Sequence, residues 1–328
     1  MTRKLDVLAI GNAIVDVIAT ADDEFLATEG LAKGSMRLID AAEATRLYGR
    51  MRSAREMSGG SGANAAAGIA ALGSSVAFVG RVADDQLGQV FAHDIRAAGV
   101  EYLTPFADTG NPTARCLILV TPDAQRTMNT FLGASQDLTR EDVDYDLVKE
   151  AGITYLEGYL WDPPAPREAM VVALEVARAN GRKVAFTLSD AFCVERHRKD
   201  FRDLADGRVD ILFANEVEIC SLFEVADFDT AARAIAGKLP IAVITRSEKG
   251  AVVLAGGQAI EVPAERVSKI VDTTGAGDLF AAGFLHGLAQ GRDLKVCAEF
   301  GAIAAAEVIS HYGARPEADL RALAAKLG

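Results

Sequence analysis

Short apolar runs alternate with stretches of helical spacing along most of this chain, and the runs are rich in Val, Ile, Leu and Ala. Residues 5–10 read as a buried strand ending at Gly11-Asn12, and 13–19 as a second strand whose β-branched run is broken by Asp16. A short strand at 36–39 and an amphipathic helix at 41–55 follow. The glycine-rich stretch from Gly59 opens a helix to Leu72, 75–82 is a strand, and residues 84–88 open a helix ending near Gly99. Residues 114–120 and 126–132, joined by the turn Thr121-Pro122-Asp123-Ala124-Gln125, read as a hairpin. From there strand and helix repeat: 153–157, 165–180, 183–188, 195–205, 209–214, a strand at 241–247, a hairpin from Lys249, an apolar helix at 296–310 and a closing helix at 316–327. Such alternation predicts an α/β fold with a doubly wound, mostly parallel sheet flanked by helices, and ligands at the carboxyl ends of the strands.

Composition agrees with this picture and narrows the function. Half of the 328 residues are hydrophobic and only 6% aromatic, which suits small-residue helices packed on a parallel sheet. No linker, repeat or composition shift divides the chain, so residues 1–328 read as a single domain. The net charge of −12, with no Lys/Arg cluster standing out, argues against a nucleic-acid surface. Residues 1–4 ahead of an apolar run imitate a secretory signal, but Asp6 and Asp16 interrupt it and no small-residue cleavage pattern follows; the expectation is a cytoplasmic protein that does not engage membranes. Cys116, Cys193, Cys220 and Cys297 and the four histidines show no metal-ligand spacing.

One stretch concentrates the chemistry. Asp272-Thr273-Thr274-Gly275-Ala276-Gly277-Asp278, followed by the apolar run 279–285, reads as a tight turn into a buried helix. The first amides of a helix lack intrahelical acceptors and sit at its positive end, so Gly275, Ala276 and Gly277 can present N–H groups to an anion. Asp278 beside such an anion reads either as a base for a hydroxyl attacking a phosphate or as a complement to the helix dipole. Gly59 to Ala65 contains a Gly-x-Gly-x-x-Ala pattern, but a dinucleotide loop follows a buried strand and residues 50–58 are polar and charged. No Gly-x-x-x-x-Gly-Lys-Ser/Thr occurs. Asn215 with Glu218 three residues on has the form of a capping arrangement. Phe192 by itself reads as a core aromatic, and the small residues 301–306 as a helix-packing face.

The 272–278 stretch resembles the C-terminal signature of the ribokinase-like (PfkB-type) sugar and nucleoside kinases, and further blocks match in that family's order from residue 11 to residue 314, nearest to its adenosine kinases. The resemblance implies that Asp278 is the catalytic base and Gly275, Ala276 and Gly277 the anion hole, with ATP and Mg²⁺ required and a monovalent cation left open. Asn12, Asp16, Gly60, Ser61 and Asn64 would grip a ribose. Arg126, otherwise a solvated edge charge, would face the pocket. Met36 and Met128 would lie against the acceptor, and Phe192 would stack on its purine. Asn215, Thr245, Ser247, Gly250, Thr274 and Ala302 would hold the nucleotide, with Asn215 and Glu218 supporting the metal. A β-strand lid is expected from about 12–20, 34–40 and 112–133. The implied activity is phosphorylation of a nucleoside 5′-hydroxyl, adenosine to AMP, in a monomer or homodimer. The rival readings are a sugar kinase for ribose or fructose, and a nucleoside-binding protein without catalysis. Met36 stands where an adenosine kinase of the family carries Gln, which keeps other purines open.

Overall fold

The computed structural model describes residues 5–123 and 125–327; the signal-like start at residues 1–4, Ala124 of the hairpin turn and Gly328 lie outside them. The main sheet is built from β1 (Val7–Ile10), β5 (Val76–Val79), β8 (Ile153–Glu157), β9 (Lys183–Thr187), β10 (Ile211–Asn215), β11 (Ile241–Thr245), β12 (Ala251–Ala255) and β13 (Gln258–Val262). Their order is β13-β12-β11-β10-β9-β8-β1-β5. Pairing is parallel from β5 to β11, and the β12–β13 hairpin adds antiparallel strands at one edge. This is the expected doubly wound α/β sheet. Both faces are covered, as strand alternation requires. Val7 and Ala9 of β1 pack with the helices Ser61–Leu72, Ala276–Ala289 and Leu294–Val308, while Leu8 and Ile10 pack with Pro164–Ala179 and Ala191–Ala205.

A second sheet is made of β2 (Ile14–Thr20), β3 (Met36–Leu38), β4 (Ala54–Gly59), β6 (Ala114–Val120) and β7 (Arg126–Phe131), in the order β3-β7-β6-β2-β4. It has its own core of Val17, Leu26, Leu31, Ile39, Ala44, Leu47, Leu117 and Leu119. The segments expected to form a lid are all in it, and β4 is an addition. The helix expected at 41–55 stops at Tyr48, with Asp40 capping its start. The polar stretch that follows becomes β4, paired only with β2 at the edge of the sheet. Charged residues are how an edge strand avoids further pairing, so its sequence carries no hydrophobic strand signal. A strand does precede the Gly59 stretch, contrary to the polar reading of residues 50–58, but it belongs to this antiparallel edge and not to the parallel sheet that a dinucleotide loop requires. The closing helix is also shorter than expected, covering Leu320–Ala324.

The helices Ala276–Ala289 and Leu294–Val308 meet backbone to backbone. A Cβ on Gly283 would lie 2.4 Å from the Phe300 carbonyl oxygen and 2.5 Å from the Gly301 nitrogen. Gly301 in turn faces Phe280, so the small residues of this stretch serve close helix packing. Gly277, in the first turn of the former helix, has nothing within 4 Å of an added Cβ. Gly283→Ala should therefore lower unfolding free energy by about 1–3 kcal/mol, the usual cost of overpacking, in urea titrations. Gly277→Ala in the same assay should be neutral or stabilising.

Candidate active site

The carboxyl ends of β1, β8, β10 and β11 all point to one edge of the main sheet, where the loops 11–12, 59–61 and 272–275 also arrive. Gly60 has φ +92°, and a Cβ there would lie 2.2 Å from the Asn12 carbonyl oxygen, so the start of the Ser61–Leu72 helix sits directly against the end of β1. Gly275 has φ +79° and precedes the Asp278 helix; its missing Cβ leaves room for Ala314. These two left-handed glycines turn the two helix starts toward each other.

Asp278 lies between them. Its Oδ1 accepts a hydrogen bond from Ser61 Oγ at 2.6 Å and its Oδ2 one from Asn64 Nδ2 at 3.0 Å. Burial pushes the pKa of Asp278 upward and outweighs the two bonds, which pull it down. A carboxylate more basic than usual, oriented on both oxygens, has the properties of a general base. Ser61 and Asn64, expected to grip an acceptor sugar, here hold this carboxylate. The side-chain Oδ1 of Asn64 remains buried and unpartnered.

The preceding loop is tied to the lid. Asp272 is buried, accepts from the Thr274 amide at 2.9 Å and from the Gly313 amide at 3.0 Å, and forms an ion pair with the Arg126 guanidinium. Arg126 also donates through Nη1 to Thr274 Oγ1 at 2.9 Å. Arg126 is the first residue of β7, so one ion pair bolts the second sheet to the anion loop. Asp16 of β2 lies against Gly59, where a Cβ would come within 2.6 Å of its carboxylate. Burial drives the Asp16 pKa up to about 7, against the pull of Arg126 and Arg315.

Two residues absent from the sequence reading belong to this region. Glu157, the last residue of β8, is buried; it accepts from the Gly62 amide at 2.7 Å, the Asn12 amide at 3.2 Å and Asn12 Nδ2 at 2.8 Å. It joins the end of β1 to the start of the Ser61–Leu72 helix, and burial raises its pKa to about 7. The signal was a lone acid closing an apolar strand. Arg315 is the other: burial lowers its pKa to about 10 although Asp94 and Asp16 oppose the shift, and its Nε and Nη2 have no hydrogen-bond partner.

The nucleotide-side candidates occupy the neighbouring strand ends. Asn215 caps the helix Glu216–Phe223: its Oδ1 accepts from the Glu218 amide at 2.8 Å, and Glu218 accepts from the Asn215 amide at 2.9 Å and from its Nδ2 at 2.6 Å. The capping arrangement is thus fully formed, and burial raises the Glu218 pKa to about 7. Among the described residues no group of three or more His, Cys, Asp or Glu is arranged to hold a metal ion. Asn215 and Glu218 offer only hard oxygen donors. That fits Mg²⁺ arriving with nucleotide phosphates, since such sites use one or two carboxylates beside substrate oxygens and retained water. Thr245 pairs in register with Asn215. Ser247 has φ +52°, and Gly250, at φ +86°, is required because a Cβ would lie 2.0 Å from the Val262 carbonyl oxygen. Ala302 is buried in the core beneath the sheet.

Met36 and Met128 are register partners on β3 and β7. Phe192 is not a core residue: it is 55% exposed in the first turn of Ala191–Ala205, with the Arg196 guanidinium 4.2 Å from its ring centre. Hydrogen bonds thus join Ser61 and Asn64 to Asp278 and Arg126 to Thr274, and among the described residues none ties Met36, Met128, Thr245, Phe192 or Ala302 to Asp278.

The raised carboxyls fix the sign of a pH effect. Glu157 holds its proton up to about pH 7 in the folded protein but only to 4.5 when unfolded, so stability falls as pH rises from 4.5 to 7 and is level above. Glu157→Gln keeps an acceptor for the two amides. Urea unfolding at a series of pH values should show that the substitution flattens this fall by up to about 1.4 kcal/mol per pH unit, the contribution of one proton.

Residues 5–320 match the model of the pfkB family carbohydrate kinases. The solved structure of the adenosine kinase from Sinorhizobium meliloti is 50% identical, covering 99% of this chain and 100% of that one, with a TM-score of 0.94. The adenosine kinase of Saccharomyces cerevisiae is 30% identical, covering 95% of this chain and 96% of its own length. A 5-dehydro-2-deoxygluconokinase of Geobacillus thermodenitrificans is 29% identical over 77% of this chain and 79% of its own. The 272–275 loop, the oriented Asp278 carboxylate and the second sheet therefore sit in a chain that belongs to the pfkB family, whose members transfer phosphoryl groups to alcohols.

Proposed function

We propose that this kinase transfers the terminal phosphoryl group of ATP to the 5′-hydroxyl of a nucleoside, adenosine to AMP, within cytoplasmic purine salvage. The observation that carries the reaction is Asp278 held on both oxygens by Ser61 and Asn64 at the start of a helix whose next-door Gly277 is open. Asp278 takes the proton of the attacking hydroxyl as its oxygen bonds to phosphorus and the bond to the ADP oxygen breaks. The amides of Gly275, Ala276 and Gly277 take up charge on the transferring group, and Thr274, Thr245 and Ser247 contact the nucleotide. Mg²⁺ near Asn215 and Glu218, when bound, neutralises phosphate charge. The lid sheet, with Asn12, Asp16, Gly60, Met36 and Met128 against the acceptor, excludes water that would otherwise accept the phosphoryl group.

The nucleoside assignment is supported by the exposed Phe192, which offers a flat face to a base, and by full-length similarity to a protein called adenosine kinase. A second reading, a sugar kinase of the same family, is favoured by Arg315: a buried guanidinium with unpartnered nitrogens near Asp16 suits an acceptor that carries an acid group.

Asp278→Asn should retain ATP binding and lose roughly 10²–10⁴ in kcat, the range of a general-base contribution. Turnover close to that of the unaltered enzyme would remove the base role. Aromatic stacking on a base is worth about 1–3 kcal/mol, so Phe192→Ala should cost roughly tenfold or more in kcat/KM for adenosine and little for ribose or fructose. Measured across adenosine, inosine, guanosine, ribose, fructose and a sugar acid, a preference for a sugar or sugar acid in the unaltered enzyme would decide for the second reading.

A further inference from the structure

Far from Asp278, a cleft of 490 Å³ opens where two helices end. Gly73, His286, Gln290, Arg292, Phe300 and Arg321 line it. The size is that of small-ligand sites. Its charge is unusual for this molecule. The chain carries 46 acids against 34 bases, and arginines such as Arg37, Arg81 and Arg196 are paired to carboxylates, yet the exposed side chains of Arg292 and Arg321 form no ion pair or hydrogen bond among the described residues. Arg321 is laid against Gly73, where a Cβ would lie 2.9 Å from its Nε. Gly73 itself, at φ +100°, is the left-handed C-cap of the Ser61–Leu72 helix.

The polar groups beside the arginines are also set. His286 Nδ1 is 2.8 Å from Ser74 Oγ, which also accepts from Gln290 Nε2 at 3.2 Å. The His286 ring meets Phe300 edge-on at 5.4 Å. Burial lowers the imidazole pKa, Asp6 opposes this, and Arg292 and Arg321 add to it. Complementing the helix dipoles does not require the two arginines, because the helix ends are closed by their own backbone: Gly73 donates to Ala70, Ser74 to Ile69, Gln290 to His286 and Arg292 to Gly287.

We propose that this cleft is a binding site for a small phosphate-bearing ligand, separate from the anion site at Gly275, Ala276 and Gly277. Two unpaired guanidiniums, an imidazole and an amide converge there, with Phe300 as an apolar wall; planar guanidiniums are the side chains best suited to phosphate oxygens. The site is joined to the catalytic one by both helices that build it. Ser61–Leu72 carries Ser61 and Asn64 at its start and ends at the cleft; Ala276–Ala289 carries Asp278 at its start and His286 near its end, about 12 Å along the axis. A Cβ on Gly68 would lie 2.6 Å from Leu279 Cδ1 and 2.7 Å from Ala282 Cβ, so the helices cannot slide independently. A ligand bridging their far ends is placed to act on the grip that Ser61 and Asn64 hold on Asp278.

The chain has four histidines, so ¹³C-histidine labelling isolates His286, assigned with His286→Asn. Inorganic phosphate, titrated at constant ionic strength, should shift the His286 signal along a saturable curve. Gly277→Val should leave that curve unchanged, which separates it from phosphate at the catalytic loop. Arg292→Gln/Arg321→Gln should weaken it by about tenfold or more, the effect of losing one good charge-assisted contact, with kcat kept within about twofold. Each single substitution, checked by circular dichroism, carries the same comparison if the double variant does not fold. An unmoved His286 signal, an equal curve in the arginine variants, or equal saturation by acetate would overturn the proposal.

Discussion

The contact at Gly68 sets the geometry on which the site depends. Only a residue without a side chain lets the Ser61–Leu72 helix approach Leu279 and Ala282 this closely, and that approach brings Ser61 and Asn64 onto the two oxygens of Asp278. The same helix pair is pinned on its other side by Gly283 against the Phe300 backbone. Small residues in this part of the chain thus act through distance: they bring helix starts, with their unpaired amides and positive ends, to one point.

A concentration of buried acids follows from that convergence. Asp16, Glu157, Glu218 and Asp278 all have raised pKa values, and in each case burial is the largest cause. Asp272, buried in the same region, pairs with the Arg126 guanidinium. Burying several carboxyls together is unfavourable by itself, and it is offset by amides and by proton uptake, with Arg126 and Arg315 adding counter-charge at Asp16. The consequence is a site whose protonation changes near neutral pH. It is also a site tied to the second sheet through Arg126, which pairs with Asp272 and donates to Thr274.

The cleft at the far ends of the two helices belongs to the same construction. The N-terminal ends face the catalytic loop and the C-terminal ends meet around His286, so both regions report on the relative position of one rigid pair. That link is mechanical, through packed side chains and backbone, and needs no chain of charges between the sites.

The sequence by itself determined the parallel strands, the helices between them and the site's main loop. Their signals are local: apolar runs of strand length, the capping pair Asn215 and Glu218, and the turn glycines of 272–278. The lid hairpin was legible for the same reason. What stayed hidden depended on partners distant in the chain. β4 is polar because it is an edge, which only the arrangement of the second sheet decides. Glu157 looks like any acid at a strand end until residues 145 and 95 positions away place their amides on it. Arg315 is an ordinary loop arginine until the fold buries it beside Asp16 and Asp94. Phe192 is the reverse case, an aromatic that composition assigns to the core and the tertiary structure leaves in solvent. Local order follows from the spacing of neighbours, whereas burial and pairing across the chain are set only when the layers close on one another.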